Sequence, residues 1–210
     1  MKENIIQVIK LVVICMVAAS VLAVVYSVTK EPIEKAKAEE KIRAVRAVIS
    51  GYEDGMTMRT DTVTDNDNNE FIIYTVIDNN DNVIGRAVAS YSEEGYGGTI
   101  NIMIGIDRDY RVTGIYALSH KETPGLGSKM DTEEFKGQFT GISDTDTDIS
   151  VRKDGGDIDA ITSATITSRA VCEAVDTGLK IVREYKPFTG QSGEMNEDTI
   201  EAEVEDVIEE

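Results

Sequence analysis

Residues 159–168 read Asp-Ala-Ile-Thr-Ser-Ala-Thr-Ile-Thr-Ser and run directly into a segment with helical spacing. After Ser168, apolar residues recur at steps of three and four, which predicts one apolar helix face: Val171, Ala174, Val175, Leu179 and Val182. The hydroxyl groups therefore lie at a helix N-terminus, where unpaired N–H groups and the helix dipole favour a phosphate. Thr167 and Ser168 are candidates for the helix cap. On spacing alone, a simple cap is the more economical interpretation.

Residues 159–165 also resemble the target pattern of flavin transferases: Asp, two variable residues, Ser or Thr, Gly or Ser, then Ala-Thr. The resemblance implies that the last residue, Thr165, is esterified through its hydroxyl to the phosphate of FMN. It thereby implies covalent FMN as the cofactor and a flavin transferase as a maturation partner. Most members carry Gly where this chain has Ser163, so the backbone of this turn is expected to be less free here.

The same resemblance assigns roles to neighbouring residues of the motif. Asp159 is expected to position the acceptor hydroxyl or a metal ion during flavin transfer. Thr162 and Ser163 are expected to donate hydrogen bonds to the phosphate. Ala164 and Thr167 complete the predicted cofactor-binding residues of this segment, and no catalytic or metal-binding residue is predicted.

A second segment, His120-Lys121-Glu122-Thr123-Pro124-Gly125-Leu126-Gly127, resembles a loop of a redox-protein family. The family comprises the G subunit of the Rnf electron-transfer complex and the C subunit of the sodium-pumping NADH:quinone reductase. In that family the loop packs near the flavin. Upstream, the glycine turn at residues 95–98 and the following strand at residues 99–106 also look like family features. The likeness covers roughly residues 45–185, and it is greater to the Rnf protein.

This loop supplies the other predicted cofactor-binding residues: His120, Glu122, Thr123, Leu126 and Gly127. His120 is predicted to line or orient the flavin pocket, and a structural histidine at a strand end is the alternative. It does not form a catalytic triad, because the sequence lacks a strained Ser or Cys nucleophile motif. The glycines predict a tight turn that allows close approach of a planar ligand, with Leu126 against the isoalloxazine ring.

Length and charge limit the classes of protein and partner. The 210 residues suffice for one globular domain with accessory segments. The net charge of −18 argues against nucleic acid or an anionic lipid surface as a partner, since both are negatively charged. The predicted organisation is a cytoplasmic tail and membrane span, a membrane-proximal helix, one FMN-binding domain, and an acidic tail. Their predicted ranges are 1–29, 30–50, 51–187 and 188–210.

The uncharged segment from Leu11 to Thr29 predicts a single membrane-spanning helix. At ~1.5 Å per residue it reaches about 28 Å, close to the ~30 Å hydrocarbon thickness of a bilayer. A cleaved signal peptide is the alternative, but the apolar run is longer than such a peptide needs. The flanking Lys and Arg residues would place the large domain inside the cell. The family resemblance instead implies a cytoplasmic-membrane protein with its flavin domain on the extracytoplasmic side, and we predict that location.

The predicted fold class is α+β, with a mainly antiparallel sheet flanked by helices. Residues 30–50 are rich in helix formers and have a Pro in the first turn, which predicts a helix leaving the membrane. Short turns separate the predicted strands, which favours antiparallel pairing: residues 71–77, 83–91, 99–106 and 111–118. The Asp/Asn-rich connections lack the ligand spacing of an EF-hand and are predicted to be turns. A short helix is predicted over residues 130–139.

The tail after Lys186 contains no Lys or Arg and carries nine acidic residues between Glu194 and Glu210, which predicts a solvated, disordered or weakly helical segment.

The two cysteines, Cys15 and Cys172, are not accompanied by a Cys or His cluster, so no metal or iron–sulfur site is predicted. Redox chemistry would then require a borrowed cofactor. Neither a Gly-x-Gly-x-x-Gly dinucleotide fingerprint nor a Walker loop is present, so this chain is not expected to bind NAD itself.

The functional prediction is a non-catalytic electron-carrier subunit of an Rnf-type membrane complex, which couples ferredoxin and NAD oxidoreduction to ion transport. Its partners would be the other membrane subunits of that complex. The alternatives are the C subunit of the quinone reductase, a free-standing extracellular flavin carrier, a tethered ligand-binding module without electron transfer, and a structural assembly subunit without a cofactor.

Overall fold

The computed structural model of the chain describes residues 2–185 together with Phe188, and for residues 2–6, 8 and 9 the backbone alone. The chain divides into two units, Met1–Glu40 and Lys41–Glu210, and each is described by itself. Apart from Phe188, the predicted acidic tail lies outside the described residues.

The first unit is formed by one helix, α1, which extends over Lys2–Val48 and so continues into the second unit. Within the described residues, α1 is the one helix long and apolar enough to cross a membrane, with an 18-residue window of mean hydropathy 2.7. Its large apolar side chains from Leu11 to Ile33 are exposed. Two i,i+4 ion pairs, Lys30 with Glu34 and Lys35 with Glu31, follow the apolar segment.

The prediction that Pro32 lies in the first turn of a new helix is wrong. Pro32 lies inside α1, which shows no break between the apolar segment and the charged segment that follows. Proline is favoured in a first turn because it lacks an N–H, but a helix can pass through it with the loss of one hydrogen bond. Strong helix formers on both sides of Pro32 allow that continuation.

The second unit contains a five-stranded antiparallel sheet with the strands in chain order. Its strands are β1 (Thr57–Thr64), β2 (Glu70–Ile77), β3 (Val83–Ser92), β4 (Ile100–Ile106) and β5 (Val112–Ser119). Four of them confirm the predicted strands to within a residue or two, and the α+β class is confirmed. Strand β1 was not predicted, because this edge strand is only partly buried and carries no apolar face.

Both faces of the sheet are covered. Cross-strand neighbours alternate between the faces, so that Val88 and Ile104 share one face and Ala89 and Met103 share the other. The first face packs against the long helix α3, Thr165–Glu184. A Cβ added at Gly178 of α3 would lie 2.5 Å from Cδ1 of Ile104, so the helix backbone approaches the sheet closely there.

The opposite face packs against the C-terminal end of α1 within the second unit. Eight buried apolar residues form this smaller core: Ala44, Val45, Val48, Ile49, Tyr74, Val76, Ala87 and Met103. The hydroxyl of Thr113 donates to the carbonyl oxygen of Val48. A Cβ on Gly105 would overlap the same carbonyl, so this strand position requires glycine for the helix to pack against the sheet.

Three hairpin turns share one construction. Asp65, Asp78 and Asp107 each accept two backbone N–H bonds from the residues two and four positions later, at 2.8–2.9 Å. Asp side chains favour such turns because they replace a backbone acceptor locally. The interpretation of the segments at Asp78 and Asp107 as turns is confirmed, and the turn at Asp65 was not predicted because β1 was not.

The chain between β5 and α3 crosses the first sheet face as short helical pieces. The single helix predicted over residues 130–139 is wrong, because Thr132 has an extended backbone that interrupts it. The structure has a 3₁₀ turn at Gly127–Asp131, α2 at Glu133–Lys136, and a second 3₁₀ turn at Gly137–Phe139. These pieces bury Met130, Phe135 and Phe139 in the larger core.

Aromatic rings cover a buried cation at the C-terminal end of α3. Arg86, at 4% exposure, has its guanidinium carbon 4.9 Å from the ring centre of Tyr185 and 4.1 Å from that of Phe188. Tyr110 stacks edge-on against Phe188, and Arg183 lies over Tyr110. Three aromatic rings and two cations therefore form one series of contacts at this end of the helix.

Candidate functional site

A cleft of about 520 Å³ opens at the N-terminal end of α3. This volume lies within the usual range for small-molecule and cofactor sites. Its wall is formed by Tyr96, Glu122, Thr123, Leu126, Gly127, Ser163, Ala164, Thr165, Ile166 and Thr167.

Three segments distant in sequence meet in this wall. The glycine turn after β3 contributes Tyr96, and the loop after β5 contributes residues 122–127. The turn before α3 and the first residues of α3 contribute residues 163–167. The three segments singled out in the sequence thus come together in space.

The turn before α3 has a fixed and unusual backbone. Ser163 has φ +66°, in the left-handed region that favours glycine. The N–H of Ala164 donates to the carbonyl of Ile161 at 2.9 Å, and the N–H of Ile161 donates to the hydroxyl of Ser168 at 2.9 Å. Glycine at this position, as in the commoner motif, would relieve this conformation, and here the surrounding bonds hold a serine in it.

The N-terminus of α3 faces the cleft without a side-chain cap. The cap residue is Ala164, and no side chain accepts a hydrogen bond from the first turn. The prediction that Thr167 and Ser168 cap the helix is therefore wrong. Both lie inside the first turn and are buried, because α3 begins at Thr165 rather than after Ser168. The free N–H groups of this turn, with the positive end of the helix dipole, suit an anion.

The threonine hydroxyls of the cleft wall differ in whether they form a hydrogen bond. Thr167 is 1% exposed, and its Oγ1 donates to Oε2 of Glu122 at 2.6 Å. Thr165 is half-buried, and its hydroxyl has no hydrogen-bond partner among the described residues. Thr165 is therefore available for chemistry in a way that Thr167 is not.

Glu122 connects all three segments of the wall. It is 5% exposed, and its Oε1 accepts from the N–H of Gly97 at 2.9 Å while Oε2 accepts from Thr167. A Cβ on Gly127 would overlap Oε2 of Glu122 and lie 2.8 Å from Oγ1 of Thr167. A Cβ on Gly95 would lie 2.9 Å from Oε1. Glycines at these positions therefore leave the space that the carboxylate occupies.

The structure places three of the predicted site residues outside the cleft wall: His120, Asp159 and Thr162. His120 lies beside the loop, where Nε2 is 3.0 Å from Oδ2 of Asp131 and Nδ1 accepts from the N–H of Glu122 at 3.2 Å. It therefore contacts the backbone that carries Glu122 rather than the cleft.

Asp159 and Thr162 are exposed on the surface of the turn before α3. The carboxylate of Asp159 forms an ion pair with Nε of Arg152 at 2.8 Å. Its backbone N–H donates to the side-chain oxygen of Gln138 at 2.7 Å, which ties the turn to the neighbouring segment. These residues face solvent beside the cleft.

Two residues of the wall were not among the predicted site residues: Tyr96 and Ile166. Together with Leu126 they form the apolar rim of the cleft, with exposures of 71%, 47% and 43% for Tyr96, Ile166 and Leu126. Within the described residues of the second unit, no other large apolar side chain is exposed. Tyr96 lies between two glycines of the turn at residues 95–98, and Ile166 lies between two threonines of the segment before α3. Apolar residues at such positions were the signal that could have identified them. A cluster of exposed apolar side chains around a cleft is typical of a binding site.

The cysteine nearest to this site is not reactive. Cys172 of α3 is 2% exposed, and burial raises the pKa of its thiol to about 12. Within the described residues no group of three His, Cys, Asp or Glu side chains is placed to hold a metal ion. The chemistry of the cleft therefore resides in hydroxyls, backbone N–H groups, one buried carboxylate and apolar surface.

Residues 95–180 match the family model of the FMN-binding domain. A protein of Methanosarcina acetivorans, named as the G subunit of the ion-translocating oxidoreductase complex, is 35% identical over 176 residues, covering 83% of this chain and 92% of that protein. A protein of the same name from Vibrio cholerae is 31% identical over 186 residues, covering 84% and 88%. The crystal structure of Shewanella oneidensis NqrC aligns with a TM-score of 0.45 at 20% identity, covering 56% of this chain and 63% of that one.

Proposed function

The chain belongs to the family of G subunits of ion-translocating oxidoreductase complexes, and from this premise we propose that it is a membrane-anchored electron carrier with FMN esterified to Thr165. FMN supplies reversible electron uptake, which the side chains of this chain cannot provide themselves. The single observation that carries the proposal is the free hydroxyl of Thr165 at an uncapped helix N-terminus in the wall of the cleft.

The donors around Thr165 fit a phosphate group. The first turn of α3 has no side-chain cap, so its N–H groups can donate to phosphate oxygens. Ser163, exposed and part of the cleft wall, adds a hydroxyl that can donate as well. A phosphodiester carries one negative charge, which the positive end of the helix dipole stabilises.

The acceptor assignment also follows from the other threonine hydroxyls of the motif. Thr167 already donates to Glu122 and is buried, so esterification there would break that bond and displace the first turn. Thr162 is exposed and lies outside the cleft wall, so a group attached to it would not start within the cleft. Of these three threonines, Thr165 combines a free hydroxyl with a position in the wall at the start of α3.

The apolar rim fits the flavin ring. Tyr96, Leu126 and Ile166 provide exposed apolar surface around the cleft, and a planar aromatic ring placed on it would remove that surface from water. Ala164 and Thr123 are further residues of the cleft wall. Gly127, at which a Cβ would overlap Glu122 and Thr167, lets the loop backbone lie directly against these two wall residues.

We assign Asp159 and Thr162 to recognition by the flavin transferase rather than to binding of the mature cofactor. Both are exposed beside the acceptor and outside the wall of the cleft. A transferase must reach the Thr165 hydroxyl from solvent, so exposed residues of the same turn are available to it. His120 is assigned a supporting role, since it holds the backbone N–H of Glu122.

The proposed setting is an Rnf-type complex of the cytoplasmic membrane, which couples ferredoxin and NAD oxidoreduction to ion transport. Helix α1 supplies the single membrane span, and other membrane subunits would exchange electrons with the carrier. The flavin domain is proposed to lie on the extracytoplasmic side. A covalent bond suits that location, because a dissociated FMN would be lost from the cell.

The test is the intact mass of the protein purified from its native membrane, with fragmentation of the modified peptide. We expect an adduct equal to FMN less one water, located on Thr165. Thr165→Val should lose the adduct and keep the fold, because valine has the shape of threonine and the lost hydroxyl has no partner in the described chain.

Thr140→Val is the matched control, since it removes the hydroxyl of an exposed threonine outside both the cleft wall and the turn before α3. It should retain the adduct. Covalent flavin in the Thr165→Val protein would refute the acceptor assignment. An unmodified wild-type protein from cells with an active flavin transferase would refute the covalent carrier itself.

A further inference from the structure

Glu122 is the only buried carboxylate in the described part of the chain. It lies in the wall of the cleft, and no cation forms an ion pair with it among those residues. The buried cation of the described residues, Arg86, packs against Tyr185, the residue that follows α3 at its other end. An unpaired buried charge is costly to maintain, so its position requires an explanation beyond packing.

The donors that Glu122 uses are neutral. The N–H of Gly97 and the hydroxyl of Thr167 each give one hydrogen bond, to different carboxylate oxygens. Thr167 is the third residue of α3, so the carboxylate lies beside the positive end of that helix. These interactions allow the charge to persist, but they do not cancel it as a bonded cation would.

A glutamine could satisfy both bonds without the charge. Its side-chain oxygen would accept from Gly97, and its amide would donate to the Thr167 hydroxyl, which can also act as an acceptor. The bracing of the wall therefore does not by itself require glutamate. What glutamate adds is a negative charge in the wall that also holds the flavin acceptor, Thr165.

We propose that Glu122 lowers the reduction potential of the flavin through its negative charge in the cleft wall. This inference rests on the proposed function. Uptake of two electrons and one proton leaves one negative charge on the flavin, with the electrons coming from a redox centre of a partner subunit and the proton from water. A carboxylate held in the wall of the same cleft opposes that added charge, because water screens the repulsion between two charges less in a partly desolvated site than in bulk solvent.

The experiment uses the full-length protein loaded with flavin by co-expression with a flavin transferase, and it compares Glu122→Gln with wild type. Covalent loading is measured first by intact mass. The reduction potential is then measured by spectroscopic titration against reference dyes. We expect the equilibrium constant for reduction to rise at least tenfold in the variant, which is about 30 mV for a two-electron couple.

Thr167→Val distinguishes charge from structure. This variant keeps the Glu122 carboxylate and removes one of its two donors, at nearly constant side-chain shape. The charge is then less compensated, so the potential should fall rather than rise. If Glu122 served only to hold the wall segments together, Glu122→Gln would leave the potential unchanged, because glutamine can satisfy both hydrogen bonds, and Thr167→Val alone would disturb the site.

Glu94→Gln is the matched control for loss of a carboxylate, since Glu94 is exposed and outside the cleft wall. Its potential should match that of wild type. The proposal is overturned if Glu122→Gln changes the equilibrium constant less than twofold, or if both pocket variants shift it in the same direction. It is also overturned if a folded Glu122→Gln protein accepts no flavin, because Glu122 would then serve attachment. Wild-type protein without covalent flavin would instead refute the proposed function.

Discussion

At the C-terminal end of α3 the guanidinium of Arg86 lies between the rings of Tyr185 and Phe188, whereas near the N-terminal end the carboxylate of Glu122 lies in the wall of an open cleft. Both charges are buried. The C-terminal, or closed, end of α3 covers its charge with side chains of the chain itself. The N-terminal, or open, end leaves its charge beside uncapped N–H groups and a free hydroxyl. The difference indicates that one end of the helix serves stability and the other is built to receive a group from outside.

The largest effect on stability and on flavin loading is expected from Gly127→Ala at the open end. The added methyl would overlap Oε2 of Glu122 and lie 2.8 Å from Oγ1 of Thr167, so the loop or the first turn of α3 must move. We expect the free energy of unfolding to fall by about 1–3 kcal/mol. Flavin loading should fall as well, because the moved segments form the wall. Denaturant unfolding and intact mass measure the two effects.

Gly137→Ala is the control for that variant. Gly137 has helical backbone angles, φ −61° and ψ −22°, and a Cβ there would meet no atom within 4 Å. Its stability should be unchanged or slightly increased, since alanine restricts the unfolded chain. Equal losses in the two alanine variants would contradict the claim that Gly127 leaves space for Glu122.

The next largest effect on stability is expected from Arg86→Met at the closed end. Methionine keeps an apolar stem but loses the cation that lies against the two rings, at 4.9 and 4.1 Å. We expect a loss of about 1–2 kcal/mol in unfolding free energy, from the magnitude of cation–π contacts at desolvated sites. Flavin loading and reduction potential should stay as in wild type, which separates the two ends of α3.

Lys180→Met is the matched control, because it removes a cation from an exposed i,i+4 pair with Asp176. Such pairs contribute little to stability. A change in reduction potential in Arg86→Met, without one in Lys180→Met, would show that the ends of α3 are coupled. The division of roles between the two ends would then fail.

A smaller effect on stability is expected when Tyr185, at the closed end, is titrated at alkaline pH. Burial, followed by a hydrogen bond with Asp61, raises the pKa of Tyr185 to about 12 from an ordinary value of 10.0. The folded state therefore favours the neutral phenol, and the associated stability is present below pH 10 and lost as pH rises towards 12. The loss should be below about 1.4 kcal/mol per pH unit, since Tyr185 is partly exposed.

Cys172 titrates in an overlapping range, because burial raises the pKa of its thiol to about 12 from 9.0. The measurement is therefore made in a Cys172→Ala background, with and without Tyr185→Phe. Tyr185→Phe should flatten the remaining decline between pH 10 and 12. An unchanged slope would mean that the closed end does not protect the phenol.

Most of the sheet could be predicted from sequence, because β2 to β5 are runs rich in strand-forming residues, separated by Asp/Asn turns and one glycine turn. The edge strand β1 could not, since a row of threonines and charges carries no alternating apolar signal. The break at Thr132 was also missed, because one extended residue inside a helix-forming run depends on how the flanking pieces pack on the sheet.

The candidate site shows the same limits. The two motifs located the loop and the turn that form the cleft, but the first helical residue was misplaced by several positions, so Thr167 and Ser168 were taken for caps. The pairing of Glu122 with Thr167 joins residues 45 positions apart in sequence. Such a contact depends on the tertiary fold and carries no local signal.

The smallest effect is expected at the open end, from the exposed ion pair of Arg169 with Asp154. Arg169 lies in the early part of α3, and its guanidinium donates to both carboxylate oxygens of Asp154, at 2.6 and 2.8 Å. The hydrogen bond from Arg169 lowers the pKa of Asp154 from its ordinary value of 3.8. Since the folded pKa is lowered, the pair stabilises the fold above the ordinary pKa and loses that contribution as pH falls through the lowered value.

Arg169→Gln should therefore show a small loss of stability at neutral pH that disappears in strong acid and at high salt, where exposed charges are screened. Neither residue lines the cleft, so flavin loading and reduction potential should match wild type. Chemical denaturation at pH 7 and pH 2, each at low and high salt, measures the difference. A loss that persists at pH 2 would mean that Arg169 acts through packing. A changed potential would mean that charges outside the cleft wall also act on the flavin. The effect of Glu122 could then no longer be attributed to its position in the wall.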